Sequence, residues 1–465
     1  MVLSNPVRQL PLLSLVGVIF FIVCGGTYGL EEAVEQSGPW WTIILVIAIP
    51  FLWGVPVSLM VAELATLMPE EGGFYAWVRR ELGDFWGSQA GWWALCSGIV
   101  DMALYPVLFV RYLSHLVPSL QLAAPFARWL VAASVVGIAL VLNLRGVRTV
   151  GQNAVISLAL VLAPLLVLSG IVMWQHDPLD TVSAIMQSSP DKLTIASFAT
   201  GLSIVIWNYM GWDSASTFAG EVENPQRNYP AALAIVALLT VSVYLLPLVA
   251  GLTIFPERAR WSEWTVWPNL GEQVAGVWLG IAIAFAGLVA QWSLFNSNLL
   301  YSSRIPYAMA RDGWLPAVLA GTPGRAGPPS ATLSVLAAIA AGLTAWPFEK
   351  LVVIDVLLYS AVLVLEFAVL IRLRSRAPHA PRPFRIPGGW PGIAVVTLAP
   401  TVCGGVLLWA TLTTDQDAAV TPMPDSAPTQ NLQLAVVAAI VASGIVLYFM
   451  KRRSVGRTRR GETGR

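Results

Sequence analysis

The stretch FFIVCGGTYGLEE, residues 20–32, interrupts an apolar run that begins near Leu10 and has the composition of a simple membrane crossing. Gly25 and Gly26 stand in its middle, a third glycine follows at Gly29, and two adjacent carboxylates, Glu31 and Glu32, close it. A glycine in a helix interior costs about 1 kcal/mol relative to alanine. A bilayer core offers no water to the backbone groups that a break sets free. A broken helix therefore survives only where it is buried in protein or lines a cavity, and the sequence places such a break in the first apolar run.

The remainder of the chain is membrane-like. Of 465 residues, 56% are hydrophobic and 11% charged, with a mean hydropathy of +0.69; an ordinary soluble domain is roughly 25% charged. Twenty tryptophans suit aromatic belts at the two membrane interfaces. At about 20 apolar residues per span, twelve spans are expected, at 11–35, 40–67, 86–115, 125–143, 150–174, 194–220, 231–255, 272–307, 330–346, 350–371, 391–413 and 431–450. Arg8 gives the first run the look of a signal peptide, but Val23 stands where cleavage needs a small residue, so the run reads as a retained helix. The prolines and glycines of 381–392 and the polar segment DQDAAVTPMPDSAPTQ (415–430) read as loops, and the basic tail from Lys451 as disordered.

With both termini inside, 21 of the 27 lysines and arginines fall in inner segments. Five fall in outer loops (Arg128, Lys192, Arg258, Arg260 and Lys350), and Arg111 lies within span 3. The positive-inside rule thus places both termini in the cytoplasm of a multi-pass protein of the plasma (inner) membrane. Cys24, Cys96 and Cys403 all sit in apolar runs, at spacings that fit neither a zinc site nor a disulfide framework. No metal, cofactor or nucleic acid is expected, and no obligate protein partner is evident.

A second break falls in span 6, FATGLSIVIWNYMGWDSASTFAGEVENP (198–225), around Gly211, with Asp213 two residues on. Five spans separate the two breaks, which suggests two five-helix halves of opposite topology within one transmembrane domain. Discontinuous helices at matching positions of inverted repeats point to a secondary transporter with its site near the midplane. A half-helix starting near Thr27 would present the positive end of its dipole, suited to an anionic group. One ending near Tyr209 would present carbonyls, suited to an ammonium.

Acids inside spans cost about 2.5–3.5 kcal/mol on insertion scales and usually mark function. Asp101 lies midway along span 3, with Tyr105 four residues on and so on the same face. Asp213 lies at the second break, and Glu31 and Glu32 follow the first, one of them facing the cavity. No lysine lies at a span centre, and Arg111, ten residues from Asp101, is too far along the helix to pair with it. Asp101, Asp213 and one of Glu31/Glu32 are therefore expected to form an anionic pocket, unless one acid carries a coupling proton or the carboxyls are satisfied by hydroxyls and backbone. Trp212 and Trp207 offer cation–π faces and Tyr28 a hydroxyl or ring; Gly25, Gly26, Thr27 and Asn208 sit at the breaks. In span 10, Tyr359 and Glu366 share a face, the first a pocket candidate and the second a gate. Asn296 in span 8, Glu32, and Glu63 at a cytoplasmic helix end are further gating or coupling candidates; Glu63 and Glu221 are read as paired with arginines.

AELATLMPEEGGFYAWV (62–78), AGEVENPQRNYPAAL (219–233), SSRIPYAMARDGWLP (302–316) and RPFRIPGG (382–389) together resemble the amino acid–polyamine–organocation superfamily over nearly the whole chain. GGTYGLEEAV (25–34), GWWALCSGIVDMALYPVLFVRYL (91–113), NYMGWDSASTFAGEVENP (208–225) and LEFAVLIRLR (365–374) look like its polyamine and cation symporter branch. Thr27 stands where that branch often has proline, and the end of span 8 is more similar to light-chain-associated amino acid exchangers. The resemblance implies an all-α, twelve-helix, five-plus-five inverted-repeat fold with two added C-terminal helices, and alternating access by rocking of spans 1, 2, 6 and 7. The coupling lysine that some members carry in span 5 has no counterpart here.

The expected function is secondary active transport, proton-coupled uptake of a cationic amine or polyamine. The alternative is an amino acid permease or exchanger holding an α-carboxylate on the Gly25–Thr27 amides. The partners are then the small-molecule substrate, a coupling ion and the bilayer. The spans carry no His/Glu metal motif and no nucleophile elbow, so an enzyme is not expected.

Overall fold

The computed structural model describes residues 10–462, apart from 71, 121, 188–193, 263–264, 322–328, 345–347 and 414–429. The loop expected at 415–430 lies, but for its last residue, outside the described residues. The apolar run LLSLVGVIFFIV forms α1 (Leu12–Val23), buried on every face from Ser14 onward. A helix apolar all round is one enclosed by protein or lipid, and α1 is enclosed by later helices. It stops at Val23 because Gly25 (φ 82°) and Gly26 (φ 105°) take left-handed backbone, which a helix cannot continue through.

The chain resumes in α2 (Glu31–Ile49), itself turned at Gly38 (φ 75°), so that Glu31–Ser37 is a short separate helix and the next span starts at Pro39. The second half-helix thus begins at Glu31 and not near Thr27. A π turn at Pro50–Gly54, where a proline withholds its N–H, leads into α3 (Val55–Leu67). The connecting α4 (Gly73–Leu82) precedes the long α5 (Asp84–Leu116), α6 (Pro125–Leu144), α7 (Val147–Gln175) and α8 (Pro178–Gln187). The second interrupted span is α9 (Ile195–Trp207), a break with Gly211 at φ 92°, and a 3₁₀ segment Ser214–Glu221. α10 (Pro225–Ile254) starts earlier than the 231 expected, because Pro225 fits the first turn of a helix.

The span read over 272–307 is three helices: α11 (Val266–Ala275), α12 (Val277–Ser302) and α13 (Arg304–Arg311), with Gly276 (φ 87°) separating the first two. α14 (Ser330–Leu343), α15 (Phe348–Arg376), α16 (Gly389–Thr413) and α17 (Gln430–Glu462) complete the chain. The tail expected to be disordered from Lys451 continues α17 to Glu462. Arginine and lysine are good helix formers, and extending an existing helix needs no new nucleus.

Among the described residues nine helices are long and apolar enough to cross a membrane, and three shorter apolar ones accompany them. The protein is thus an all-helical, multi-pass membrane protein. Its outer helices keep large apolar side chains exposed, among them Leu398 and Val402 on α16, Ile156 on α7 and Met450 on α17; such a surface suits lipid. α1 packs against α7, α10 and α12, and α5 against α12 and α15. Leu10 and Val222 form a parallel bridge, with Leu10 N donating to the Glu221 carbonyl (3.2 Å) and Glu223 N to the Leu10 carbonyl (3.0 Å). The start of the first broken span is thereby tied to the end of the second.

Candidate functional site

The end of α1, the break after α9, the middles of α5 and α15 and the C-terminal part of α12 meet at one internal cavity. Unwinding at Gly211 exposes a backbone N–H, which donates to the Tyr359 hydroxyl at 2.9 Å. The same hydroxyl donates to Asp213. On α5, the one-turn spacing of Asp101 and Tyr105 brings the phenol back onto the carboxylate, with O–O distances of 2.7 and 2.6 Å. Trp207 Nε1 donates to Asp101 Oδ1 at 2.9 Å, an oxygen that Tyr105 also reaches, and its ring stacks on Tyr105 at 6.2 Å between centroids. Asp101, Tyr105, Trp207, Asn208 and Tyr359 all lie on the cavity wall. The open space is about 20 Å³, room for roughly one water molecule. In this conformation the walls are closed together, and an organic ligand needs them to part.

Two further acids stand behind that wall. Asp355, fully buried, accepts from the Ser97 hydroxyl and lies beside Asp101, and its Oδ2 has no hydrogen-bond partner among the described residues. Glu366, also fully buried, meets Asp213 carboxyl to carboxyl, and no N–H or O–H donor among the described residues serves either of its oxygens. Among the described residues none of these four carboxyls forms an ion pair. Asp355 was not singled out from the sequence. The signal was present: it is an acid inside the apolar run VVIDVLLYS, four residues before Tyr359, the same pattern that marked Asp101.

Other expected site residues lie elsewhere. Glu31 is buried and its carboxylate is filled by Gly29 N (2.7 Å), the Tyr112 hydroxyl (2.7 Å) and Trp267 Nε1 (2.8 Å). Glu32 pairs with Arg111 at 2.6 Å. The arginine that cannot reach Asp101 along its own helix therefore neutralises an acid of another one. Tyr28 donates to the Ile283 carbonyl (2.9 Å) and meets Tyr112 edge-on. Arg258 caps the short helix that follows, donating to the carbonyls of Glu35 (2.5 Å) and Gln36 (2.8 Å). These residues form a second polar cluster, joining residues 28–37 to α5, α11 and α12.

At the first break the cavity wall is Ile22, Val23 and Cys24, and not Gly25, Gly26 or Thr27. Gly25 backs onto Leu294, and a Cβ on Gly26 would come within 3.1 Å of Val161 on α7. Trp212 donates to the Tyr209 carbonyl (2.9 Å) and packs over Gly54. Asn296 accepts from Asn143 Nδ2 (2.8 Å), joining α12 to α6. Glu63 accepts from Arg374 Nε (2.7 Å), Arg382 Nε (3.0 Å) and Ile386 N (2.9 Å), and Arg304 pairs with Glu221 at 3.0 Å.

A larger cleft, about 520 Å³, opens beside α4 and α13. Its wall carries three arginines and three acids: Arg79 pairs with Asp84 (2.8 Å) and Asp312 (2.5 Å), Arg80 pairs with Glu70 (2.8 Å), and Arg311 lies over the Tyr307 ring. Burial, reinforced by a hydrogen bond to Asp312, pushes the Tyr75 phenol well above its ordinary pKa. Three arginines against three acids leave this cleft without net charge among its lining residues, in contrast to the small cavity.

Comparison with known proteins bears on the whole chain. The family model described as amino acid permease matches residues 12–448. Polyamine transporter RMV1 of Arabidopsis thaliana is 34% identical over 406 residues, covering 87% of this chain and 81% of its own length. Polyamine transporter PUT1 of Oryza sativa subsp. japonica is 32% identical over 407 residues, covering 87% of this chain and 75% of its own.

Proposed function

Because this chain belongs to the amino acid–polyamine–organocation superfamily of permeases, we propose that it takes up a polyamine-like cationic amine by proton-coupled alternating access. The observation that carries this reading is the set of four buried carboxyls around and behind one closed cavity, unpaired with any described cation. Buried charge must be neutralised, and an ammonium-bearing ligand or a proton are the two ways of doing so. Each positive charge moved inward gains about 2.3 kcal/mol per 100 mV of inside-negative potential. Similarity to proteins named polyamine transporters supports the same substrate class.

In this proposal Asp101 and Asp213 are the principal ammonium acceptors. Tyr105, Trp207, Asn208 and Tyr359 shape the pocket, while Glu31 and Glu32 hold the outer side closed. The nine long and three short apolar helices make twelve spans, of which α1 and α9 begin two inverted five-span repeats. The arginine distribution supports cytoplasmic termini in the plasma membrane.

The family's description as amino acid permease favours a second reading, an amino acid held by its carboxylate at the first break. Against it stands Glu31, whose own carboxylate already occupies the start of the helix after that break. Uptake into proteoliposomes under an imposed pH gradient separates the two. The amine reading expects accumulation of putrescine or spermidine, at least tenfold reduced in Asp101→Asn. Strong competition by an amino acid with none by its decarboxylated amine would support the second reading and sink the first.

A further inference from the structure

α15 carries three polar groups on one face: Asp355, Tyr359 at i+4, and Glu366 at i+11. At 1.5 Å per residue, Asp355 and Tyr359 are about 6 Å apart along the axis, and Asp355 and Glu366 about 16 Å. Each acid of α15 has an acid of another element beside it: Asp101 of α5 next to Asp355, and Asp213 of the second break next to Glu366. Tyr359 stands between the two levels, its hydroxyl committed to Asp213 and to Gly211 N. The site is therefore two carboxyl pairs stacked along one helix, with a tyrosine as the partition.

We propose that Asp355 and Glu366 are specificity-determining residues, and that the two pairs form two ammonium subsites selecting a linear polyammonium of three or more charges over a short diamine. This rests on the amine-transport reading above. Two like charges held side by side away from water repel, and an ammonium between them replaces that repulsion with two charge-assisted hydrogen bonds. A single ammonium, or a diamine too short to pass Tyr359, serves one level only.

A separate observation points to a ligand at the upper level. Asn298 of α12 lies on the cavity wall, is fully buried, and has an Oδ1 with no hydrogen-bond partner among the described residues. An amide oxygen left unpaired in a closed interior is costly, and it is the acceptor that an ammonium or secondary amine N–H requires. The lower level has the matching feature: the Glu366 carboxyl faces Asp213, a second acid, and no donor among the described residues serves its oxygens.

The test is competition against radiolabelled spermidine in proteoliposomes by putrescine, spermidine and spermine, for the wild type, Asp355→Asn and Glu366→Gln. The wild type is expected to bind the triamine and tetraamine at least tenfold more tightly than the diamine. Glu366→Gln and Asp355→Asn are each expected to cut that preference at least tenfold, because each removes one of the two levels that a longer amine spans. Should Glu366→Gln fail to run as a monodisperse species, Glu366→Asp replaces it, with the preference moved toward the tetraamine. An unchanged preference in either variant overturns the proposal. So does a Glu366→Gln protein that keeps the wild-type preference and loses only the pH dependence of uptake, the mark of a proton carrier. If the wild type binds none of the three amines, the amine-transport reading itself has failed, a result distinct from either.

Discussion

Glu63 of α3 is buried to 1% exposure and accepts four hydrogen bonds, two on each oxygen. Arg374 Nε and Arg382 Nε share Oε1; Arg374 Nη2 and Ile386 N share Oε2. Every acceptor position of the carboxylate is thus in use, and α3, α15 and the segment before α16 are tied to one side chain. Glu63→Gln preserves the shape but leaves one oxygen, able to serve two donors at most. The remaining two donors then face an NH₂ group. Charge-assisted bonds contribute about 1.5–3 kcal/mol each, so losing two predicts a destabilisation of about 3–6 kcal/mol. That agrees with the roughly 3–5 kcal/mol for breaking a buried pair from one side. Reversible unfolding of the purified protein in detergent micelles measures it. A double-mutant cycle with Arg374→Gln is expected to return a coupling of at least about 1.5 kcal/mol between the two residues. A Glu63→Gln protein within about 1 kcal/mol of wild type would show that this cluster is solvated in the working protein, and the four-donor reasoning would fail.

Gly211→Ala is expected to give a folded but transport-impaired protein, because φ 92° is strained for alanine and the added Cβ would sit 2.9 Å from the Ile22 carbonyl oxygen. Size-exclusion profiles together with uptake test it, and wild-type uptake would refute it. Arg111→Met leaves Glu32 buried without its 2.6 Å partner and is expected to destabilise by about 3–5 kcal/mol, with Glu32→Leu in the same chain recovering most of the loss. A double variant as unstable as the single one in detergent unfolding would count against the pair.

Features that obey local physics were legible in the sequence. The interruption around residues 24–30 could be read because glycine and hydropathy act within a few residues, and the same holds for the one at 208–213. Gly276 is the same kind of signal, passed over because the apolar run on its C-terminal side is long enough to hide the start of a helix. Asp101 and Tyr105 could be placed on one face by helical spacing alone. Asp355 obeys the same rule, an acid inside an apolar run with a tyrosine four residues on. The fate of Glu31 and Glu32 was not legible: their partners are Tyr112, Trp267 and Arg111, the nearest of them 79 residues away in the chain. Periodicity carries no information on such a pairing.

The sequence by itself determined that the chain is a multi-pass membrane protein with two apolar runs broken at glycine, because the cost of charge and of free backbone in lipid acts on each segment separately. Only the tertiary structure decided which acids stand together. Asp101 meets Asp355 and Asp213 meets Glu366, whereas Glu31 and Glu32 are drawn off into a separate cluster with Arg111. The physical reason is that helix packing sets which faces meet, and the charge balance of a buried site is a property of the assembled faces and of no single helix.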